Sequence, residues 1–139
     1  MQKNDVLRRL FEAAEKASLN SYSPYSEFPV GAAVMTDDGS VFTGANIENR
    51  SFGLTNCAER SAVFAAVSSG YRRITAVAVA APKADYPVAP CGACRQVLSE
   101  FGGADVPVLF GNSFGNAELH ALGELYPFDS LHELAGGGR

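Results

Sequence analysis

The chain has 139 residues, of which 47% are hydrophobic and 19% are charged. This length suits one domain with a core of its own, so neither a disulfide nor a metal ion is needed for folding on grounds of size. The formal net charge is −4, and the two pairs of adjacent arginines, Arg8 with Arg9 and Arg72 with Arg73, are interpreted as solvated positions. Nucleic acid binding needs a face rich in Lys and Arg, so the composition argues against a polyanion as partner.

The cysteine content and the hydrophobic pattern indicate the compartment. Three cysteines are an odd number, which argues against a disulfide framework and favours a reducing environment. No stretch approaches the roughly 18 apolar residues of a membrane helix, and the first segment is charged where a signal peptide would be apolar. We therefore expect a cytoplasmic protein with one domain over 1–139, although any single cysteine could simply be a core residue.

The first half of the chain predicts a helix followed by a hairpin. Apolar residues recur every three or four positions over 4–19, and Asn4 or Asp5 is suited to cap that helix. A loop rich in Ser, Asn and Pro follows, with more aromatic residues than a solvated loop needs. Residues 29–35 and 41–47 are expected to be two strands, because an Asp-Gly pair marks the turn between them.

The second half alternates strands and helices. Its predicted elements are helices over 57–69 and 91–101, strands over 74–81 and 106–110, and a short strand or helix within 117–125. Pro90 is expected to begin the second of these helices, because proline is favoured at the first helical position. The end of the chain, 135–139, is expected to be frayed. This order predicts an α/β sandwich around one mixed sheet, with the chemistry on the turns where strands lead into helices.

All three cysteines fall at predicted helix starts. Cys57 opens the second helix, whereas Cys91 and Cys94 lie three positions apart on the third, so that both sulfurs face one side. A C-x-x-C pair could be a redox centre, but that leaves Cys57 unexplained, whereas three thiolates supply three corners of a tetrahedral zinc site. Neither His120 nor His132, the only histidines, lies near these motifs. The pattern favours a catalytic zinc whose fourth position is open to water.

Charged residues follow the cysteines closely. Three thiolates leave a zinc site with net negative charge, which helix N-termini and a cationic side chain would offset. Arg60 and Arg95 could each donate to a thiolate or be exposed helix residues, and we favour Arg60. Glu59 lies at the helix tip, where it can approach the zinc-bound water without being a ligand. Alternatively, Asn56 as N-cap and Glu59 would form a capping box.

These cysteine motifs belong to a longer set of motifs. C-A-E-R at 57–60 and P-C-G-A-C at 90–94 form the three-cysteine version of the zinc deaminase signature, in which the glutamate is the general acid and base. They are accompanied by FPVGAAV at 28–34, GANIEN at 44–49, TNCAERSAVFAAVS at 55–68 and PCGACRQVLSEF at 90–101. Over most of its length, the chain therefore resembles the small, single-domain cytidine deaminases.

The resemblance implies a fold and a set of site residues. The fold is a three-layer α/β/α sandwich around a mixed five-stranded sheet. One zinc ion per subunit would be held by Cys57, Cys91 and Cys94, Glu59 would move protons, and the substrate would contact Phe28, Asn46, Glu48 and Ala58. An amide beside a carboxylate suits the hydroxyls of a sugar, because the pair offers a donor and an acceptor without neutralising charge. From the residues alone, Asn46 and Glu48 could equally be solvated, and Phe28 could belong to the core.

The implied activity is zinc-dependent hydrolytic deamination of cytidine and 2′-deoxycytidine in pyrimidine salvage. The chain resembles family members of this size that form homotetramers. The resemblance therefore implies a homotetramer, with a dimer as the alternative. The chain departs from the family at its C-terminal end, where the family has Leu-Pro, two small residues and a phenylalanine that a neighbouring subunit inserts over the base. Here Leu125 and Tyr126 precede Pro127 and Phe128. Phe128 or Tyr126 could take that place, and Phe52 is a second candidate for contact between subunits; packing within one subunit is the alternative for each.

Three other functions are compatible with parts of the pattern. A related zinc aminohydrolase could act on a modified cytosine nucleoside or another aminated heterocycle. A zinc-stabilised binding module would need no catalyst, but Glu59 and the missing fourth protein ligand argue against it. An enzyme acting on polynucleotides is disfavoured, because the net charge is −4 and no basic, aromatic groove is evident.

Overall fold

The computed structural model describes residues 1–129 and residue 134. The helices are α1 (Asp5–Ser18), α2 (Ala58–Ser68), α3 (Gly92–Phe101) and the short α4 (Leu122–Leu125). The strands are β1 (Gly31–Thr36), β2 (Val41–Ala45), β3 (Ile74–Ala80), β4 (Pro107–Gly111) and β5 (Glu118–Ala121). The predictions for 135–139 and for His132 concern positions outside the described residues. Within the described part of the chain, no helix has the length and apolar character needed to cross a membrane.

The five strands form one mixed sheet in the order β2-β1-β3-β4-β5. β1 runs antiparallel to both β2 and β3, β3 and β4 are parallel, and β4 and β5 are antiparallel. Gly31 at the start of β1 is level with Ala45 and with Ala80, the last residues of β2 and β3. This register brings to one edge of the sheet the loop before β1 and the two segments that lead into α2 and α3.

Helices cover both faces of the sheet, which confirms the expected α/β/α sandwich. One core joins α1 to alanines of β1 and β3, among them Ala33, Ala76 and Ala78. The other core, on the opposite face, joins α2 and α3 to alternate residues of the same strands, among them Val34, Val77 and Val79. β3 is buried on both faces apart from Thr75, as its continuous apolar sequence predicts.

Most predicted boundaries differ from the structure by one or two residues. Asn4 is the N-cap of α1, where its side chain accepts a hydrogen bond of 2.9 Å from the Leu7 amide. Pro90 is not the first helical residue of α3, because Cys91 is the N-cap and Pro90 precedes it. The segment predicted as a short strand or helix contains both, because β5 leads directly into α4.

One glycine sets the distance between the hairpin and α2. A Cβ placed on Gly44 would lie 2.5 Å from the Ala62 backbone nitrogen and 2.6 Å from the Ser61 Cβ. Real side chains do not approach this closely, so only glycine lets β2 pack at this distance against α2. The residues that follow β2 are thereby held beside the N-terminal end of that helix.

Candidate metal centre and active site

The three cysteine sulfurs converge at the edge of the sheet where α2 and α3 begin. Cys57 is the N-cap of α2, Cys91 is the N-cap of α3, and Cys94 lies in the first turn of α3. The Sγ atoms of Cys57 and Cys91 are 3.8 Å apart, and those of Cys91 and Cys94 are 3.4 Å apart. Among the described residues, this is the group of His, Cys, Asp or Glu side chains close enough to share a metal ion, with all ligand atoms within 4.8 Å of one another.

This donor set fits zinc. Sulfur ligands about 2.3 Å from a tetrahedral zinc ion lie about 3.8 Å from one another, which is close to the observed spacings of 3.8 and 3.4 Å. His120 is not part of the group, because its ring stacks on Phe110 and its Nε2 lies 3.0 Å from Glu118. The described residues therefore supply three sulfur ligands, which is the number that leaves a tetrahedral ion one open position.

Arg60 is the cation at this cluster. Its Nη2 donates a hydrogen bond of 3.2 Å to Cys57 Sγ. The pKa of Cys57 falls to about 5, chiefly because it accepts a hydrogen bond from Cys94, with Arg60 contributing further. The pKa of Cys94 is raised, because this thiol keeps the proton that the two sulfurs share. A thiolate is therefore already favoured at Cys57.

Arg95, the other arginine considered from the sequence, is engaged elsewhere. Its Nε donates to the Pro90 carbonyl at 2.7 Å, and its Nη1 donates to the Leu125 carbonyl at 2.8 Å. It thus joins the loop before Cys91 to the end of α4, and the alternative that it donates to a thiolate is wrong.

Glu59 lies in the first turn of α2 and is only 5% exposed. Burial, with a smaller contribution from the negative charge on Cys57, raises the pKa of its carboxyl group to about 7. The capping-box alternative is wrong, because Cys57 is the N-cap and no side chain caps the helix. Asn56 instead donates to Ser61 Oγ at 3.1 Å. The preceding residue, Ala58, is completely buried.

Asn46, directly after β2, is 9% exposed and has a fixed orientation. Its Oδ1 accepts hydrogen bonds from the Val30 amide, at 2.9 Å, and from the Ser21 hydroxyl. Its Nδ2 donates to the Phe28 carbonyl at 2.9 Å. The amide group has two N–H donors, and the second one has no hydrogen-bond partner among residues 1–129 and 134.

Glu48 is held by the loop before β1. Its Oε1 accepts from the backbone amides of Tyr25, at 3.0 Å, and Ser26, at 3.1 Å, and its Oε2 accepts from the Ser26 hydroxyl. The Ser26 hydroxyl is the main reason that the pKa of Glu48 lies below its ordinary value. Phe28, half-buried, follows in the same loop. The structure therefore brings Phe28, Asn46 and Glu48 together.

Sequence reasoning missed the two serines of this loop, Ser21 and Ser26. Their contacts span more than twenty positions of the chain, so no local motif indicates them. The only sequence signal was indirect, namely the unusual aromatic content of a loop that would otherwise be solvated. That content is explained in part by Tyr25, whose ring contacts Phe52 at a centroid distance of 5.6 Å.

The aromatic residues considered for contacts between subunits differ in exposure. Phe52 is 74% exposed despite its contact with Tyr25, and Phe128 is 90% exposed. Tyr126 is tied to its own subunit, because its hydroxyl donates to Gln96 Oε1 of α3 at 2.5 Å. Of the two C-terminal candidates, Phe128 is therefore the one that projects from the chain.

Comparison with known proteins places this arrangement in context. Residues 4–110 match the family model described as the cytidine and deoxycytidylate deaminase zinc-binding region. The cytidine deaminase of Halalkalibacterium halodurans is 52% identical over 118 residues, which cover 85% of this chain and 89% of that protein. The cytidine deaminase of Sporosarcina psychrophila is 46% identical over 121 residues, covering 87% and 88% of the two chains. The crystal structure of cytidine deaminase from Burkholderia pseudomallei superposes with a TM-score of 0.81 at 48% identity, covering 86% of this chain and 94% of that one.

Proposed function

Because this chain belongs to the cytidine and deoxycytidylate deaminase family, whose members are zinc-dependent hydrolytic enzymes, we propose that it deaminates cytidine and 2′-deoxycytidine. The products are uridine and 2′-deoxyuridine, with release of ammonia, a reaction of pyrimidine salvage. The observation that carries the proposal is the convergence of three cysteine sulfurs within 4.8 Å beside the buried carboxyl group of Glu59. The whole of 1–139 acts as one catalytic domain.

Cys57, Cys91 and Cys94 hold the zinc ion. When bound, zinc lowers the pKa of a water molecule toward neutrality and so makes a nucleophile available to C4 of the cytosine ring. Arg60 offsets part of the negative charge of the three thiolates through its hydrogen bond to Cys57 Sγ. The N-termini of α2 and α3 contribute in the same sense, because a helix dipole favours negative charge at that end.

Glu59 moves the protons. Its carboxylate takes one proton from the attacking water and gives it to N3 of the base as the water oxygen bonds to C4. It then takes the second proton from that oxygen and gives it to the exocyclic amino group, so that the C4–N bond breaks, ammonia leaves and the C4 carbonyl forms. Burial suits this work, because a carboxyl group shielded from solvent exchanges protons with the substrate rather than with bulk water. Glu59 is 5% exposed, and Ala58 beside it forms part of the wall of the base site.

The other half of the substrate is held by the residues that follow β2. The second N–H of Asn46 has no acceptor among the described residues, and Glu48 is a carboxylate that accepts. Together they bind a sugar hydroxyl, which both donates and accepts. Phe28 packs near the sugar and the base. None of the three residues proposed for this half, Phe28, Asn46 and Glu48, is cationic, which favours a neutral nucleoside over a nucleotide or a polynucleotide.

We also propose a homotetramer in the cytoplasm. Exposed apolar side chains support association, since Phe52, Leu54 and Phe128 are 74%, 72% and 90% exposed and adjacent exposed apolar residues can mark a protein interaction surface. Phe52 and Phe128 contact a neighbouring subunit near its site.

Sedimentation at micromolar concentration should give a tetramer, and a monomer would overturn the shared-site assignment. The reducing cytoplasm keeps the three thiols available for zinc.

The decisive experiment is an ultraviolet absorbance assay of the zinc-loaded enzyme with cytidine. We expect the absorbance of cytidine to fall and ammonia to be released in equimolar amount. Removal of zinc by a chelator should abolish both changes, and added zinc should restore them. Free cytosine and N4-substituted cytidines serve as comparison substrates. Turnover of a modified nucleoside without turnover of cytidine would favour the related aminohydrolase, and no turnover of any of them would favour a zinc-stabilised binding module.

A further inference from the structure

We propose that Ser26 is a positioning residue for the sugar half of the substrate, and that it leaves Glu48 able to accept a hydrogen bond from a single sugar hydroxyl. The inference rests on the proposed function, in which Glu48 binds the sugar. It concerns a residue of the loop before β1, outside the zinc-binding motifs.

The hydrogen bonds to Glu48 set the number of its free acceptor positions. A carboxylate offers about four lone-pair positions. The amides of Tyr25 and Ser26 occupy both positions on Oε1, at 3.0 and 3.1 Å, and the Ser26 hydroxyl occupies one on Oε2. The described residues leave one position without a donor, on Oε2, and the Ser26 hydroxyl determines which way that oxygen is directed.

The same hydroxyl also holds Phe28. Ser26 Oγ accepts a hydrogen bond of 3.1 Å from the Phe28 amide while it donates to Glu48. Between them, Glu27 has a φ of 54°, the left-handed region that residues other than glycine rarely adopt. The Glu27 amide donates to the Ser23 carbonyl at 2.9 Å. The chain thus turns sharply at Glu27, and Ser26 spans the turn.

Asn46 closes this network from the other side. Its Nδ2 donates to the Phe28 carbonyl at 2.9 Å. Ser26 therefore links Glu48 to Phe28, and Phe28 links to Asn46, so that the three proposed substrate contacts form one hydrogen-bonded unit. Removing the Ser26 hydroxyl should release Glu48 Oε2 and Phe28 together without touching the metal ligands.

The test measures steady-state kinetics of Ser26→Ala with cytidine. We expect the KM to rise about tenfold, as for loss of one well-placed hydrogen bond to a charged group, while kcat, zinc content and melting temperature stay close to those of the wild type. Ser26→Thr keeps a hydroxyl and should restore most of the KM. Ser51→Ala is the control, because it removes an exposed serine hydroxyl that makes no capping hydrogen bond. Ser23 is unsuitable, because its hydroxyl contacts Ser21, which binds Asn46.

A double-mutant cycle separates this role from a merely structural one. In a Glu48→Gln background, Ser26→Ala should add little to the KM, because the group through which it acts has already been changed. With the wild type, 3′-deoxycytidine and 5′-deoxycytidine are compared with cytidine. For one of the two analogues, the KM should exceed that of cytidine in the wild type but not in Glu48→Gln. For the other analogue, the ratio of its KM to that of cytidine should be the same in both enzymes.

The outcomes distinguish the two proposals. If Ser26→Ala leaves the KM unchanged, or if its effect adds fully to that of Glu48→Gln, Ser26 does not position Glu48. If both deoxy analogues depend on Glu48, the single-hydroxyl inference is wrong. If Glu48→Gln itself leaves the KM for cytidine unchanged, the sugar-binding role in the proposed function fails, whatever Ser26 does.

Discussion

The metal half of the site, with Cys57, Cys91 and Cys94, lies on the first turns of two regular helices, whereas the sugar half lies on irregular backbone before β1 and after β2. In the metal half, two contacts join residues three positions apart on one helix, namely Cys91 with Cys94 at 3.4 Å and Cys57 with Arg60 at 3.2 Å. In the sugar half, the side chains of Glu48 and Asn46 contact residues at least 16 positions away, such as Ser26 and Val30. Helix geometry therefore sets the directions of the side chains within each helix of the metal half, and the packing of α2 beside α3 brings Cys57 to within 3.8 Å of Cys91. The sugar half depends on how the loop before β1 and the residues after β2 pack together.

The largest effect is expected in the metal half. Glu59→Gln keeps the shape of the side chain but removes the proton-transferring carboxylate. We expect kcat to fall about 10³-fold, within the range typical of general acid–base catalysis, while zinc remains bound because no sulfur ligand changes. Steady-state kinetics and metal analysis of the purified variant test this.

Two controls sharpen that result. The melting temperature should not fall, because replacing a buried carboxyl group by an amide of similar size leaves α2 intact. A variant with near-normal kcat would refute the proton-transfer role, and a variant that loses its zinc would show that Glu59 supports the metal instead.

A smaller effect, on stability and on the sugar half, is expected from Gly44→Ala. The new Cβ would lie 2.5 Å from the Ala62 nitrogen, so β2 must move away from α2. We expect a loss of about 3 kcal/mol in the free energy of unfolding, as for overpacking in a core, and a rise in KM because Asn46 follows β2. Urea denaturation and kinetics measure the two effects.

The matched control is Gly115→Ala, where nothing lies within 4 Å of the added carbon. It should leave the free energy of unfolding nearly unchanged. Equal stability of the two variants would mean that the contact between β2 and α2 does not hold the hairpin in place.

The smallest effect is expected at the far end of the hairpin. Asp38 accepts hydrogen bonds from Thr36 Oγ1 at 2.8 Å, the Ser40 amide at 3.0 Å and the Tyr71 hydroxyl at 2.7 Å. These bonds, the Ser40 amide first, hold the pKa of Asp38 well below its ordinary value. Asp38→Asn should therefore lower the melting temperature modestly at neutral pH.

The pH dependence of that difference follows from the direction of the shift. A carboxyl group with a lower pKa in the folded state stabilises the protein above its unfolded pKa, and this contribution is lost as the pH falls through the folded pKa. The gap in melting temperature between wild type and Asp38→Asn should thus be constant near pH 7 and narrow below about pH 4. A gap that does not change with pH would assign the effect to shape rather than charge.

Much of the fold could be predicted from sequence, because its signals are local. The repeat of apolar residues in α1, the apolar β3 and the Asp-Gly turn each reflect a single element. The expectation that Pro90 is the first helical residue is wrong by two residues, because Cys91 is the N-cap and α3 begins at Gly92. The capping-box alternative for Glu59 failed for a similar reason at the start of α2.

The sequence by itself determined the donor set of the metal centre and the acid beside it, because a helix turn converts fixed spacing into a fixed direction for each side chain. It also indicated Asn46 and Glu48 through a family resemblance, without their orientation. Only the tertiary structure decided that one N–H of Asn46 donates to the Phe28 carbonyl, that Arg60 rather than Arg95 donates to a thiolate, and that Ser26 holds Glu48. Those choices depend on which loops the sheet brings to one edge, and this is set by strand register and by the close packing of Gly44 on α2.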